Sequence, residues 1–258
     1  MAIPETTLSI ETTDHDAVRE LRLARPPVNA LDPALCRALA AAVAQATADG
    51  VRGLVLLGGP KVFSAGLDVP YLVSLGADRA ALRDAWDAFF EAARALANAP
   101  MPVVAAMAGH APAGGCVLAL CCDYRIMASG PFAIGLNETQ VGLVAPEGVQ
   151  HLLRRVVGIY RAERLLVAGE LVQADAALAM GLVDELVDIE SVGTRARVWL
   201  QNLLALPRQP VLETRRIARA DLVAALEPGR IELDRFVEAW YSDDTQGALR
   251  ALMVKLGK

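Results

Sequence analysis

The chain has 258 residues, of which 54% are hydrophobic and 21% charged, and its net charge is −5. That composition supplies a sizeable core for one large domain or a domain with an appendage, and it excludes wholesale disorder. The acidic balance argues against a broad nucleic-acid surface, while leaving room for a small basic site for an anionic ligand. No apolar run is long enough to span a membrane. Residues 1–14 show neither the basic and apolar regions of a secretory signal nor an Arg-rich transit pattern, so a cytoplasmic location is expected.

Residues 7–12 and 17–23 read as two strands around an acidic turn at 13–16 that contains His15. The pair Pro26-Pro27 forces extended backbone. Asp32-Pro33 then reads as a cap with proline at the first helical position. Leu35, Leu39 and Val43 give that helix one apolar face, and it ends near Gly50. Residues 51–57 form a short continuous apolar strand, of the kind covered on both faces. The following loop, 58–68, is rich in glycine and small residues. It reads equally as a place where a ligand approaches the backbone or as an ordinary Gly/Pro turn.

A long amphipathic helix is expected over 78–99, with Leu82, Trp86, Phe89, Ala93 and Leu96 at three- and four-residue spacing. Its aromatic residues read as core. Pro100 and Pro102 close it, and 103–107 is a second buried strand. A strand–loop–helix pattern thus occurs twice, at 51–99 and 103–122, which points to α/β units. After Pro146 come helices at 148–157, 161–168 and 173–180, with Asp175 read as a cap of the last, and then a strand at 182–187. From there to the end the chain reads as helical, broken near Pro207–Pro210 and Pro228-Gly229, with an apolar stripe at Leu233, Phe236, Val237 and Trp240.

Cys36, Cys116, Cys121 and Cys122 show no C-x-x-C spacing, and the chain has only three histidines. Neither a zinc site nor a disulfide framework is expected, and the thiols read as small buried hydrophobes. No Walker loop, HExxH, G-x-S-x-G or G-x-G-x-x-G pattern occurs. What remains is two glycine-containing loops after strands and one acid in an uncharged run. The first loop can expose the N–H of Leu67. The second, Ala113-Gly114-Gly115, precedes a helix expected at 116–122, whose first N–H groups are unpaired and sit at the positive end of the dipole. Two such N–H groups aimed at one point stabilise an enolate-like oxygen, by roughly 2.7–4 kcal/mol per donor. Glu138, among Leu136, Val141 and Leu143, reads either as a desolvated base or as a capping or surface glutamate.

The segments PPVNALDPAL, VFSAGLD, MAGHAPAGGCVLALCCDYRIMA and IGLNETQVGLVAP resemble the crotonase (enoyl-CoA hydratase/isomerase) superfamily, and within it the mitochondrial-type Δ3,Δ2-enoyl-CoA isomerases. The resemblance runs from about residue 24 to 187. It implies an α/β fold, a crotonase-like spiral of ββα units over 1–190, followed by a helical C-terminal trimerisation region over 191–258. The implied partner is an acyl-CoA thioester substrate, with no cofactor beyond the CoA it carries, no metal, and assembly as a homotrimer or a dimer of trimers. Leu67 and Gly114 would supply the oxyanion N–H groups and Glu138 the base. Ser64, Ala65, Gly66, Leu67, Asp68 and Asn137 would contact substrate, with backbone around 62–65 reading the adenine.

By the same resemblance, Val117 is the discriminating position. Hydratases of the superfamily carry a second glutamate there, and a valine leaves a single base, which suffices for isomerisation. Val117, Leu136, Val141 and Val144 are expected to exclude water from it. Three features stand apart. Ala108 replaces a common asparagine, His110 precedes the oxyanion loop, and Glu147, if it entered the pocket, would restore a second carboxylate. Arg208, Arg215, Arg216 and Arg219 are candidates for the CoA phosphates or, alternatively, a solvated helix face.

Overall fold

The structure, a computed structural model, describes residues 9–257. Strands β1 (Ile10–His15) and β2 (Val18–Leu23) form an antiparallel pair. Their register pairs His15 with Val18. The turn is therefore the two residues Asp16 and Ala17, with Asp16 at φ +54°, and not the expected 13–16. Thr13, Asp14 and His15 stay in the strand because Asp14 faces Arg19 across the pair, and the guanidinium holds its carboxylate at 2.6 and 2.9 Å. Part of the strand expected at 7–12 lies outside the described residues.

Helix α1 (Pro33–Ala48) starts on Asp32, whose carboxylate accepts the Leu35 N–H at 2.8 Å. Strand β3 (Gly53–Leu57) and, further on, β4 (Val103–Met107) are buried at every position. Between them lie a short helix, α2 (Val69–Ser74), and the long α3 (Arg79–Asn98), capped by Asp78. After β4 come β5 (Ala111–Pro112), α4 (Gly114–Leu120), β6 (Tyr124–Ala128) and β7 (Ala133–Gly135). A 3₁₀ turn at Glu138–Val141 leads to α5 (Glu147–Val157) and α6 (Ile159–Ala168). Then follow β8 (Val172–Gln173), α7 (Ala174–Ala179) and β9 (Glu185–Val187). Asp175 lies in the first turn of α7 but makes no capping bond. The remaining elements are helical: α8 (Val192–Leu204), α9 (Arg208–Ala218), α10 (Ala220–Ala225), α11 (Pro228–Ile231), α12 (Leu233–Trp240) and α13 (Asp243–Lys255).

The main sheet runs β1-β2-β3-β4-β6-β9, with every pairing after β1-β2 parallel, and a small second sheet runs β5-β7-β8. The uninterrupted apolar character of β3 and β4 has a direct cause. Alternate residues Leu54, Leu56, Val103 and Ala105 face the large core with α1, α3 and α4. Val55, Leu57, Val104 and Ala106 face a second cluster closed by Val192, Ala196 and Leu200 of α8. Two sheets with helices packed on them and a helical C-terminal part make this the α/β arrangement that the resemblance implies. No helix among the described residues is long and apolar enough to cross a membrane.

Candidate active site

Because β3 and β4 are parallel and in register, from Leu54 beside Val103 to Leu57 beside Ala106, the loops that leave them emerge at the same edge. Ligand crevices in open α/β sheets form at that edge. The two loops are stitched together by backbone bonds, Phe63 N–H to the His110 carbonyl at 2.8 Å and His110 N–H to the Lys61 carbonyl at 3.1 Å. On its other side the first loop pairs with residues 28–31, through Leu31 N–H to the Gly66 carbonyl at 2.8 Å and Asp68 N–H to the Leu31 carbonyl at 3.1 Å.

That pairing skips Leu67, whose N–H has no acceptor among the described residues. The same is true of Gly114 N–H, at the first position of α4. The residue before it, Ala113, is held at φ +46°, a strained setting for a residue with a Cβ. Leu67 and Gly114 both line a cavity of about 840 Å³.

Asn137 and Glu138 line the same cavity. Glu138 opens the 3₁₀ turn, and its carbonyl accepts from Leu143 N–H at 2.9 Å. The residue as a whole is half-buried, yet Oε2 is sealed from solvent and has no hydrogen-bond partner among the described residues. Asn137 Oδ1 is likewise buried and unpartnered. Desolvation pushes the Glu138 carboxyl up to about 7, partly offset by its own backbone N–H. Val117 shares a face of α4 with Gly114, three residues before it, and puts an apolar side chain into the cavity wall.

Of the other expected contacts, Ala65 and Asp68 also line the cavity. Asp68 is already committed, pairing with Arg25 at 2.6 Å and capping α2 by accepting Tyr71 N–H at 3.0 Å. Ser64 and Gly66 lie behind the cavity wall. The fully buried Ser64 hydroxyl donates to the Asn29 carbonyl at 2.8 Å and accepts Gly66 N–H at 3.2 Å, so it shapes the loop from inside. Val141 and Leu143 face the cavity, whereas Leu136 is packed in the core. Val144 does not shield the site, being 66% exposed.

Glu147 stays outside. It is exposed at the start of α5, where Arg154 and Arg230 hold its carboxylate at 2.6–3.1 Å. His110 is a loop and packing residue, its Nδ1 accepting Ala133 N–H at 3.0 Å and its ring set edge-on to Phe132. Ala108 packs against the cluster under α8. Two of the four arginines are spent inside the fold. Arg215 grips the Asp123 carboxylate at 2.7 and 2.9 Å, and the buried Arg219 donates to the Cys121 carbonyl at 2.7 Å. Arg216 pairs along its own helix with Glu213.

Several cavity walls escape the sequence reading. Trp86, Phe89 and Phe90 of α3 serve both core and cavity. Phe236 and Trp240 of α12, with Leu252 and Leu256 at the end of the chain, close the opposite side. The 233–240 stripe was the available signal, but a stripe does not name what it covers. Helix α2 was also missed, although Asp68 followed by Pro70 is a cap-and-proline start. No group of three or more His, Cys, Asp or Glu side chains among the described residues is placed to hold a metal ion. All four cysteines are buried and free.

The sequence profile described as enoyl-CoA hydratase/isomerase matches residues 13–252. The chain is 34% identical over 253 residues to mouse mitochondrial enoyl-CoA delta isomerase 1, covering 96% of this chain and 86% of the mouse protein. It is 37% identical over 218 residues to a probable enoyl-CoA hydratase of Mycobacterium avium, covering 82% of this chain and 80% of that protein. The crystal structure of human mitochondrial delta3-delta2-enoyl-CoA isomerase superposes with a TM-score of 0.90 at 32% identity, covering 96% of this chain and 98% of the human one. With matches of this extent, the chain belongs to the enoyl-CoA hydratase/isomerase family, the crotonase superfamily.

Proposed function

We propose that this crotonase-family chain is a Δ3,Δ2-enoyl-CoA isomerase that moves the double bond of a 3-enoyl-CoA into conjugation with the thioester, a step in the β-oxidation of unsaturated acyl chains. The observation that carries this reading is the pairing of Val117 with Glu138 in one cavity, where Glu138 is the one carboxylate free of an ion pair among the described residues. Adding water to a double bond needs groups that position the water and deliver its proton. Shifting a double bond needs one base that removes a proton and returns it.

In this mechanism the thioester carbonyl accepts hydrogen bonds from the N–H groups of Leu67 and Gly114. Glu138 takes a proton from C2, and the electron pair spreads over a dienolate whose oxygen those two donors stabilise. The protonated Glu138 then delivers the proton to C4, and the double bond rests between C2 and C3. The trans-2-enoyl thioester leaves with no change in atom count. The apolar walls at Val117, Val141 and Leu143 support the reading by keeping water from the intermediate. Ala65 and Asn137 would contact the substrate.

Assembly as a homotrimer or a pair of trimers belongs to the same reading. It is supported by the exposed apolar side chains Val144, Ile159, Tyr160 and Val167, and sedimentation tests it.

The test of function is a pair of assays on the purified protein. One follows conjugated thioester formed from cis- and trans-3-enoyl-CoA, and the other follows hydration of trans-2-enoyl-CoA. Isomerisation well above hydration is expected. Strong hydration with negligible isomerisation overturns the proposal.

A further inference from the structure

Glu138 sits on a 3₁₀ turn of four residues, too short an element to fix its own orientation. The turn ends at Gly142, held at φ +73°, whose carbonyl points toward α13. There Thr245, 2% exposed, donates its hydroxyl to the Gly142 carbonyl at 2.5 Å. Ser242 Oγ donates to Thr245 Oγ1 at 3.0 Å and, as the N-cap of α13, accepts Thr245 N–H at 3.3 Å. The contact is close enough that a Cβ on Gly142 would lie 2.9 Å from Thr245 Cα and 3.0 Å from Ala248 Cβ. On its other flank the turn is held by Gln140, whose Nε2 donates to the Gly169 carbonyl at 2.7 Å. Helix α13 then runs on to place Leu252 in the cavity wall.

We propose that Thr245 is a positioning residue for Glu138, its hydroxyl fixing the turn that carries the carboxylate and so letting α13 set where the base stands. The proposal rests on Glu138 being the base. A valine would fill the same space as threonine but leave the Gly142 carbonyl without this donor. Around the carboxylate, α4 contributes the Cys116 thiol, itself pushed up by burial and by the nearby Glu138. The charged groups on the two helices packed against the turn are Asp243, Asp244, Arg250 and Lys255 on α13 and Arg161, Glu163 and Arg164 on α6, and α6 also carries the Tyr160 phenol. None of these sets the Glu138 charge state, which desolvation governs. A loosened turn therefore shows itself as a carboxyl that titrates lower once water reaches it.

The experiment compares wild type, Thr245→Val and Thr245→Ser. Glu138 is titrated by infrared difference spectroscopy, with Glu138→Gln identifying its band, and kcat and KM are measured with a 3-enoyl-CoA. For Thr245→Val we expect a kcat about tenfold lower, a KM within about twofold, and a carboxyl titrating about one unit lower. Thr245→Ser is expected to stay close to wild type. Should Thr245→Val not fold, Ser242→Ala, at an exposed position, removes the hydroxyl that feeds Thr245, and a smaller shift of the same sign is expected. A wild-type titration in Thr245→Val, or in Ser242→Ala where that variant is needed, overturns the proposal, as does an equal loss in Thr245→Ser. The titration needs no turnover, so failure of the isomerase reading in the wild type remains distinguishable from failure of this one.

Discussion

Gly66 and Gly114 meet backbone to backbone, so closely that a Cβ on Gly66 would lie 2.9 Å from Gly114 N and one on Gly114 would lie 3.2 Å from Gly66 Cα. This contact brings the Leu67 and Gly114 N–H groups to one end of the cavity. Gly66 also sits at φ +82°, where an alanine is strained. On the proposed mechanism Gly66→Ala is therefore expected to push the two N–H groups apart and lower kcat by roughly 10²–10³-fold, the worth of one oxyanion donor. Thermal unfolding followed in parallel should show a loss of roughly 2–3 kcal/mol, because the backbone contact and the positive φ both penalise a Cβ. A folded variant with wild-type kcat would mean that the contact serves the fold alone.

Burial places the Glu138 carboxyl at about 7 in the folded chain, against an ordinary value of 4.5. On the proposed mechanism Glu138 works as a base only when ionised, so kcat/KM is expected to rise with pH through about 7 and then level off. The same displacement affects stability. The folded chain holds this proton more tightly than the unfolded chain, so the stabilisation is complete below pH 4.5 and is lost as pH rises through about 7. The loss amounts to about 3 kcal/mol. Denaturant titration should find Glu138→Gln more stable than wild type by that order at pH 8 and equal to it at low pH.

Val117 is 2% exposed and shares a helix face with Gly114. Val117→Glu places a second carboxylate in the cavity opposite Glu138. Measurable hydration of trans-2-enoyl-CoA is expected, together with a fold weakened by roughly 2–4 kcal/mol from burying an unpaired acid. A folded variant that hydrates no better than wild type would show that the geometry, and not the missing acid, separates the two reactions.

Arg215 is a tie within the fold, gripping Asp123 in a pair whose side chains are 14% and 11% exposed. Arg215→Ala leaves that acid with Arg219 at 3.1 Å and the Val103 N–H at 2.7 Å, and should cost about 1–2 kcal/mol of stability. The KM for the CoA ester should change less than about twofold. A KM rise with stability intact would return Arg215 to the CoA phosphates.

The legible parts of this chain are those governed by local rules. The Asp32-Pro33 start of α1, the buried runs of β3 and β4, and the amphipathic stripe of α3 follow from capping, from strands covered on both faces and from helical period. Glycine-rich backbone after two parallel strands, together with an acid in an apolar run, marked where to look for a site. Long-range partners were not legible. Arg215 looks like a surface cation until Asp123, 92 residues away, is found beneath it. Val144 and Val141 are equally apolar, and only the 3₁₀ turn decides that Val141 turns in and Val144 out. The stripe on α12 predicts a buried face without saying that part of it borders a cavity. Glu147 could be assigned only once Arg154 and Arg230 were seen around it.

The central claim, that one carboxylate does all the proton transfer, is tested most directly by Glu138→Gln, which keeps the shape and removes the base. Turnover of 3-enoyl-CoA is expected to fall by ~10³-fold or more, while a saturated acyl-CoA still binds within a few-fold of wild type, measured by calorimetry. Turnover close to wild type in that variant would contradict the account.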